Sequence, residues 1–171
     1  MVKHVKKIVV APDSFKGTMS SVEVCNIIEA CIHEIAPEAL VVKVPVADGG
    51  EGLVDAYLAQ FGGERFQSRV TGPLFQPVDA VWCMLPDHKT AVIEMAAASG
   101  LPLVGSDQRN PERTTTLGVG ELILEAVSKG ALKIILGLGG SATNDGGMGM
   151  AQALGYQFLD SSGNSLLPVG G

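Results

Sequence analysis

Leu40-Val41-Val42-Lys43-Val44-Pro45-Val46-Ala47-Asp48-Gly49-Gly50-Glu51-Gly52-Leu53-Val54-Asp55-Ala56-Tyr57-Leu58 decides the fold class. It begins with a β-branched run over Leu40 to Val46. A polar loop of glycines and carboxylates follows, and then a segment whose apolar residues Val54, Tyr57, Leu58 and Phe61 recur at helical spacing until Gly62-Gly63 stops it. A strand, a glycine loop and a helix in that order are the repeating unit of a parallel α/β sheet. The same order stands upstream. Lys7 to Ala11 reads as a buried strand, and Ser20-x-x-Glu23 is a capping box opening a helix with the stripe Val24, Ile28, Cys31, Ile32 and Ile35, ended near Pro37. Two such units predict parallel strands with right-handed crossovers, whose ligands gather at the carboxyl ends of the strands.

Farther along, the pattern changes. Arg65 to Val70, Val78 to Met84 and Thr90 to Glu94 read as strands joined by short turns at Gly72-Pro73 and Pro86-Asp87-His88, which is the pattern of an antiparallel meander. The βα pattern then resumes with a helix from about Leu117 to Lys129, a strand at Lys133 to Leu136, another glycine loop and a helix ending near Gly155. The expectation is an α/β protein: a parallel Rossmann-like or flavodoxin-like sheet domain over residues 1–63 and 115–155, interrupted by a smaller α+β domain with a mixed or antiparallel sheet over 64–114 and 156–171. Both domains are expected to be incomplete. Trp82 and Met84 alternate along a strand and are expected in the core.

Composition narrows the function classes. The chain has 171 residues, 46% of them hydrophobic, enough for an ordinary core. A formal net charge of −6 without a Lys/Arg cluster argues against a nucleic-acid surface. Three cysteines, Cys25, Cys31 and Cys83, form no Cys-x-x-Cys pair, so neither a disulfide framework nor a thiolate zinc site is expected. The apolar run near the N-terminus is too short for a signal peptide, and no stretch approaches the roughly 18 apolar residues of a membrane span. A cytoplasmic protein without a membrane partner is the expectation. His4, His33 and His88 sit in a tail, on a helix and in a turn, and read as structural or solvated. The 22 glycines, about twice average usage, concentrate in short clusters, which suggests backbone shaped around a ligand.

Three polar segments follow predicted strands: Pro12-Asp13-Ser14-Phe15-Lys16-Gly17, Ala47 to Gly52, and Gly137-Leu138-Gly139-Gly140-Ser141-Ala142-Thr143-Asn144-Asp145-Gly146-Gly147. A parallel sheet brings all three to one rim. Their backbone N–H groups, lysine, hydroxyls and carboxylates are the parts needed to hold a polyphosphate and a magnesium ion. Lys16 can balance charge on a transferred phosphoryl group or stand as a solvated loop lysine. Asp48 can receive a hydroxyl proton or bind the metal, and can equally make an Asx turn before its helix. Ser14, Gly49, Gly50, Gly139, Gly140, Ser141, Thr143 and Asn144 are the candidate nucleotide-binding positions. Asp145 and Glu51 are the candidate metal ligands. For Glu51 the helix dipole alone also explains an acidic residue in a first turn, and for the hydroxyls and Asp145 so does ordinary capping. Thr114, Thr115 and Thr116 can bind a carboxylate or cap the next helix.

The third loop is not a P-loop, because no Gly-Lys-Ser/Thr follows an upstream glycine at the required spacing. Gly137-x-Gly139-x-x-Ala142 does fit a dinucleotide fingerprint, with Asp160 about 20 residues on. The intervening Thr143 to Gly147 would delay the helix that the fingerprint needs. A non-catalytic dinucleotide- or nucleotide-binding module is therefore the competing reading.

The sequence also resembles the bacterial-type glycerate kinases. The strings that carry the resemblance are Ala11 to Gly17, Pro45 to Gly52, Ile93-Glu94-Met95-Ala96-Ala97-Ala98-Ser99-Gly100-Leu101, Gly118-Val119-Gly120-Glu121-Leu122-Ile123 and the third loop, in that order over nearly the whole chain. The resemblance implies ATP- and Mg²⁺-dependent phosphorylation of D-glycerate, with 2-phosphoglycerate as product, in a cleft between two α/β domains. Thr114-Thr115-Thr116-Leu117 departs from relatives that carry an aromatic near the fourth position. Family chains run to roughly twice this length, so the expectation is an N-terminal portion, inactive or nearly so by itself and prone to self-association through an open sheet edge.

Overall fold

The computed structural model describes residues 7–171. His4 and the rest of the stretch before Lys7 lie outside the described residues. The elements in chain order are β1 (Lys7–Val10), α1 (Ser21–Ile35), β2 (Leu40–Lys43), α2 (Leu53–Phe61), β3 (Glu64–Thr71), β4 (Pro77–Met84), β5 (Thr90–Glu94), α3 (Met95–Ser99), α4 (Leu117–Ser128), β6 (Lys133–Gly137) and α5 (Met148–Ala153), with single 3₁₀ turns at Leu101–Leu103 and Pro111–Arg113.

Two sheets result. β1 and β2 pair in parallel, Lys7 with Leu40 through Val10 with Lys43. The expected strand to Val46 ends early because Pro45 has no N–H to donate, yet Val44 and Val46 still donate to the carbonyls of Val10 (2.8 Å) and Pro12 (3.1 Å). α1 opens with the expected capping box: Glu23 N–H donates to Ser20 Oγ at 3.2 Å and Ser20 N–H to Glu23 Oε2 at 2.8 Å. Of its expected apolar stripe, Val24 is buried but Cys31 and Ile35 are exposed, because two short strands give a 15-residue helix little surface to cover.

The second sheet has the order β3-β4-β5-β6. Its first three strands are the expected antiparallel meander. One expectation is corrected here. The strand at Lys133–Gly137 does not join β1 and β2; it pairs in parallel with β5, from Thr90 with Lys133 to Glu94 with Gly137. α4 supplies the long crossover that a parallel pair requires.

Period-two alternation buries both faces of this sheet. Trp82, Met84, Ala91 and Ile93 face one core with Val119, Leu122 and Ala126 of α4, while Cys83 and Val92 face another with Leu53 and Val54 of α2. Trp82 is fully buried as expected, stacked on Phe66 with ring centroids 4.5 Å apart, and its indole N–H donates to Ser68 Oγ at 2.9 Å. That hydrogen bond satisfies the one polar atom the ring brings inside.

Candidate functional site

The loop after β2 meets the loop after β6 at the backbone. Gly139 N–H donates to the Gly49 carbonyl at 2.9 Å. A Cβ on Gly139 would lie 2.6 Å from the Gly50 nitrogen, and one on Gly137 would collide with the Gly49 carbonyl. Side chains are excluded at both positions because two main chains pass too closely for any. The clustered glycines thus let one loop rest on another, which is how Gly49, Gly50, Gly139 and Gly140 come to one rim.

The first loop reaches the same place through a side chain. Lys16 Nζ donates to Asp48 Oδ2 at 2.9 Å, and Asp48 Oδ1 accepts from Gly50 N–H at 2.9 Å. Asp48 therefore makes its Asx turn and still presents an oxygen to Lys16. Both side chains are solvated, 73% and 49% exposed. The Asp48 hydrogen bond and charge raise the Lys16 pKa, with Asp13 and Glu51 adding smaller effects. The Lys16 hydrogen bond and the Gly50 amide hold the Asp48 carboxyl below its usual range. Both groups are charged at neutral pH. Beside them Ser14, Lys16, Glu51, Gly52 and Asp55 line a cleft of about 350 Å³. Thr18, Met19 and Ser20 also line it, and sequence reasoning missed these three and Asp55, whose partner is Arg65 on β3.

The hydroxyls of the third loop are engaged internally. Ser141 Oγ donates to the Thr143 carbonyl (3.0 Å) and Thr143 Oγ1 to the Thr114 carbonyl (2.8 Å). Asn144 lies against Gly170. Thr114, Thr115 and Thr116 are buried, and Thr114 Oγ1 donates to the Ala142 carbonyl at 2.9 Å, so these threonines tie the third loop to α4 and do not face the cleft.

Asp145, expected as a metal ligand, is buried. Its Oδ2 accepts from Thr116 N–H (2.8 Å), Thr116 Oγ1 (2.7 Å) and Gly149 N–H (3.1 Å), and its Oδ1 from Gly147 N–H (3.0 Å). Four donors engage the carboxylate, three on Oδ2 and one on Oδ1, and it joins the starts of α4 and α5. Glu51 is exposed at the cleft. Among the described residues no group of three or more His, Cys, Asp or Glu is placed to hold a metal. The described residues by themselves therefore assemble no closed site for a magnesium ion, and no chemical step here depends on one.

The dinucleotide fingerprint also loses its structural context. The helix after Gly137 starts only at Met148 and is six residues long, whereas the fingerprint needs a helix N-terminus inside its glycine pattern.

Glu94 is the residue whose role sequence reasoning did not find. It ends β5, and its Oε1 accepts the Val54 N–H of α2 at 2.8 Å across 40 residues of sequence. Burial raises its pKa, against the smaller opposing effect of the Val54 amide.

Comparison with known proteins gives this arrangement its family. Glycerate 2-kinase of Escherichia coli K12 is 55% identical over 160 residues, covering 94% of this chain and 42% of that protein. Glycerate kinase of Bacillus subtilis 168 is 53% identical over 165 residues, covering 96% and 43%. A crystal structure from Salmonella typhimurium LT2, provisionally described as a glycerate kinase 2, superposes with a TM-score of 0.82 at 50% identity, covering 94% of this chain and 43% of that one. The chain spans less than half the length of the curated relatives it matches. The model of the glycerate kinase family matches residues 8–171, and the chain belongs to that family.

Proposed function

We propose that the full-length protein transfers the γ-phosphoryl group of ATP, bound as its magnesium complex, to a hydroxyl of D-glycerate, with 2-phosphoglycerate as the product. The observation that carries this reading is the Lys16–Asp48 pair set beside the contact between Gly49 and Gly139. A carboxylate and a cation stand together there, at a rim where two glycine loops meet. Glycerate 2-kinase activity is what the name of the Escherichia coli relative states.

In this reading the glycerate hydroxyl oxygen forms the new bond to the γ-phosphorus as the bond to the β,γ-bridging oxygen breaks. ADP leaves with that electron pair, and the hydroxyl proton passes to Asp48. With its pKa lowered, Asp48 is a weak base, so it serves first by accepting a hydrogen bond that aims the hydroxyl in line and takes the proton as transfer proceeds. Lys16 stays cationic and balances charge on the transferred group. The two must part for substrate to enter between them, and their exposure makes that inexpensive. Ser14, Gly50, Gly140, Ser141, Thr143 and Asn144 complete the proposed nucleotide rim.

The expected two-unit division of the whole protein is part of the proposal, with β6 assigned by its pairing to the unit of residues 64–114. Cytoplasmic placement is proposed on the three free cysteines. No helix is long and apolar enough to cross a membrane among the described residues.

Glycerate-dependent ADP formation by the full-length protein tests the reading. Lys16→Ala and Asp48→Asn are each expected to lower kcat by about 10² or more while leaving the unfolding midpoint nearly unchanged, since both lie on solvated loops. Unaltered kcat in both variants removes the pair from the site.

A further inference from the structure

The start of α2 poses a question that its own sequence does not answer. The first N–H groups of a helix need acceptors from outside it, and a side chain at the N-cap position usually supplies one. Here the N-cap is Gly52, at φ 94°, with no side chain to offer. Of the two carboxylates in the loop before it, Asp48 is spent on Gly50 and Lys16, and Glu51 is exposed at the cleft. The acceptor comes instead from the other sheet: Glu94 Oε1 takes the Val54 N–H at 2.8 Å, and the Gly52 amide also favours its charged form.

Glu94 is not placed there casually. It stands in register with Gly137 on β6, the residue from which the third loop departs. Gly137 leaves the room that the Gly49 carbonyl occupies, and two residues on Gly139 N–H binds that same carbonyl. The segment Asp48 to Val54 is thus fastened to the ends of β5 and β6 at two points, one near its start through Gly49 and one at its end through Glu94. Asp48 lies just before the first fastening. Even half-burying a carboxylate is unfavourable unless strong hydrogen bonds compensate it, and an apolar residue at this strand end would have packed against α2 without that burden.

We propose that Glu94 is a positioning residue for phosphoryl transfer: by anchoring the start of α2 to the strand end that launches the third loop, it fixes Asp48 against the proposed nucleotide rim. The inference rests on the kinase reading of that rim. Glu94 touches no reacting atom. It sets the distance between the loop that aims the acceptor and the loop that receives the donor, and a displacement of about 1 Å there lowers turnover by about 10²-fold.

The test compares Glu94→Ala and Glu94→Gln in the full-length protein. Glutamine keeps an acceptor for Val54 N–H, and alanine does not. The expected result is that Glu94→Ala lowers kcat by about 10²-fold, with the KM for glycerate and for ATP changed by no more than about threefold, and that Glu94→Gln restores most of kcat. Amide exchange should quicken at Gly52 to Val54 in Glu94→Ala, with the β3–β5 meander still protected. Equal kcat in wild type and Glu94→Ala overturns the proposal. So does a Glu94→Gln defect as large as that of Glu94→Ala, because the charge rather than the anchor would then matter. Absence of glycerate-dependent ADP formation in the wild type defeats the kinase reading separately. In that case the anchoring stands if exchange quickens at Gly52 to Val54 in Glu94→Ala and falls if it does not.

Discussion

The two sheets of this chain are held in opposite ways. The four-stranded sheet has α2 on one face and α4 on the other, and its central residues Trp82, Cys83, Val92 and Ile93 are wholly buried. The β1–β2 pair is covered only in part by α1. Val9 and Leu40 are each 59% exposed and Ile35 of the helix is 87% exposed. The candidate site lies where these unlike regions meet: Lys16 leaves β1 of the sparsely packed pair, the third loop leaves β6 of the well packed sheet, and Asp48 leaves β2 but is pinned to β6 through Gly49. Stability and chemistry should therefore separate under mutation. Changes in the large sheet act on folding, and changes at the seam act on turnover.

The sharpest way to break the comparison is to remove a large side chain from each region. Trp82→Ala empties a fully buried site, ends the stack on Phe66 and strands the Ser68 hydroxyl. A loss of about 3–5 kcal/mol is expected. Ile35→Ala, at an exposed position, should change stability by no more than about 0.5 kcal/mol. Urea unfolding midpoints of the two variants check this, and similar losses would mean that the β1–β2 region is covered in solution.

A smaller and more local effect is expected at the seam. Gly137→Ala drives a methyl group into the Gly49 carbonyl and Leu53 Cδ2. The loop after β2 must then move, at about 1–3 kcal/mol of stability. Turnover should fall by more than that stability loss explains, because the shift carries Asp48 with it. Measuring kcat alongside the unfolding midpoint separates the two effects, and unchanged kcat would show that Asp48 does not depend on this contact.

Much of this was legible in the sequence, and what was not has a common cause. Alternation from Val78 to Met84, the Ser20–Glu23 capping box and the turns at Gly72 and Pro86 are local patterns, and each element appears where its pattern lies. That Lys16, Asp48 and the glycine loops would come together was legible because a parallel strand delivers its following loop to one rim. The partner of β6 was not legible: Ile134-Ile135-Leu136 reads as a buried strand without saying which sheet buries it. The surroundings of Asp145 were hidden for a related reason. Its four donors come from Thr116, Gly147 and Gly149, and the ones from Thr116 are 29 residues distant. Spacing within the loop shows an acidic residue among glycines and cannot show that distant hydrogen bonds already engage it. Glu94 shares that obscurity, since its partner is on α2.

The subtlest expected effect contrasts two carboxylates that both accept backbone N–H groups, one in each setting. Asp87, exposed at the β4–β5 turn, accepts from Thr90 Oγ1 and from the amides of Lys89 and Thr90. The Thr90 hydroxyl, those amides and a small contribution from Lys133 bring its pKa from 3.8 down to about 2. A depressed value favours the folded state above the unfolded pKa, and that stabilisation is lost as pH falls from about 3.8 through about 2. Glu94 has the opposite sign. Burial raises its pKa, with Asp55 and Glu51 repelling its charge, so its contribution is fully present below the unfolded value and is lost as pH rises through the folded one. Asp87→Asn should therefore flatten the acid limb of the stability profile, and Glu94→Gln should flatten the decline on the other side of the optimum. Thermal unfolding followed across acidic to neutral pH reads both slopes from one set of samples. If both variants altered the same limb, desolvation at the strand end of β5 would not be what governs Glu94, and the contrast between a solvated turn and a half-buried anchor would fail at its most direct point.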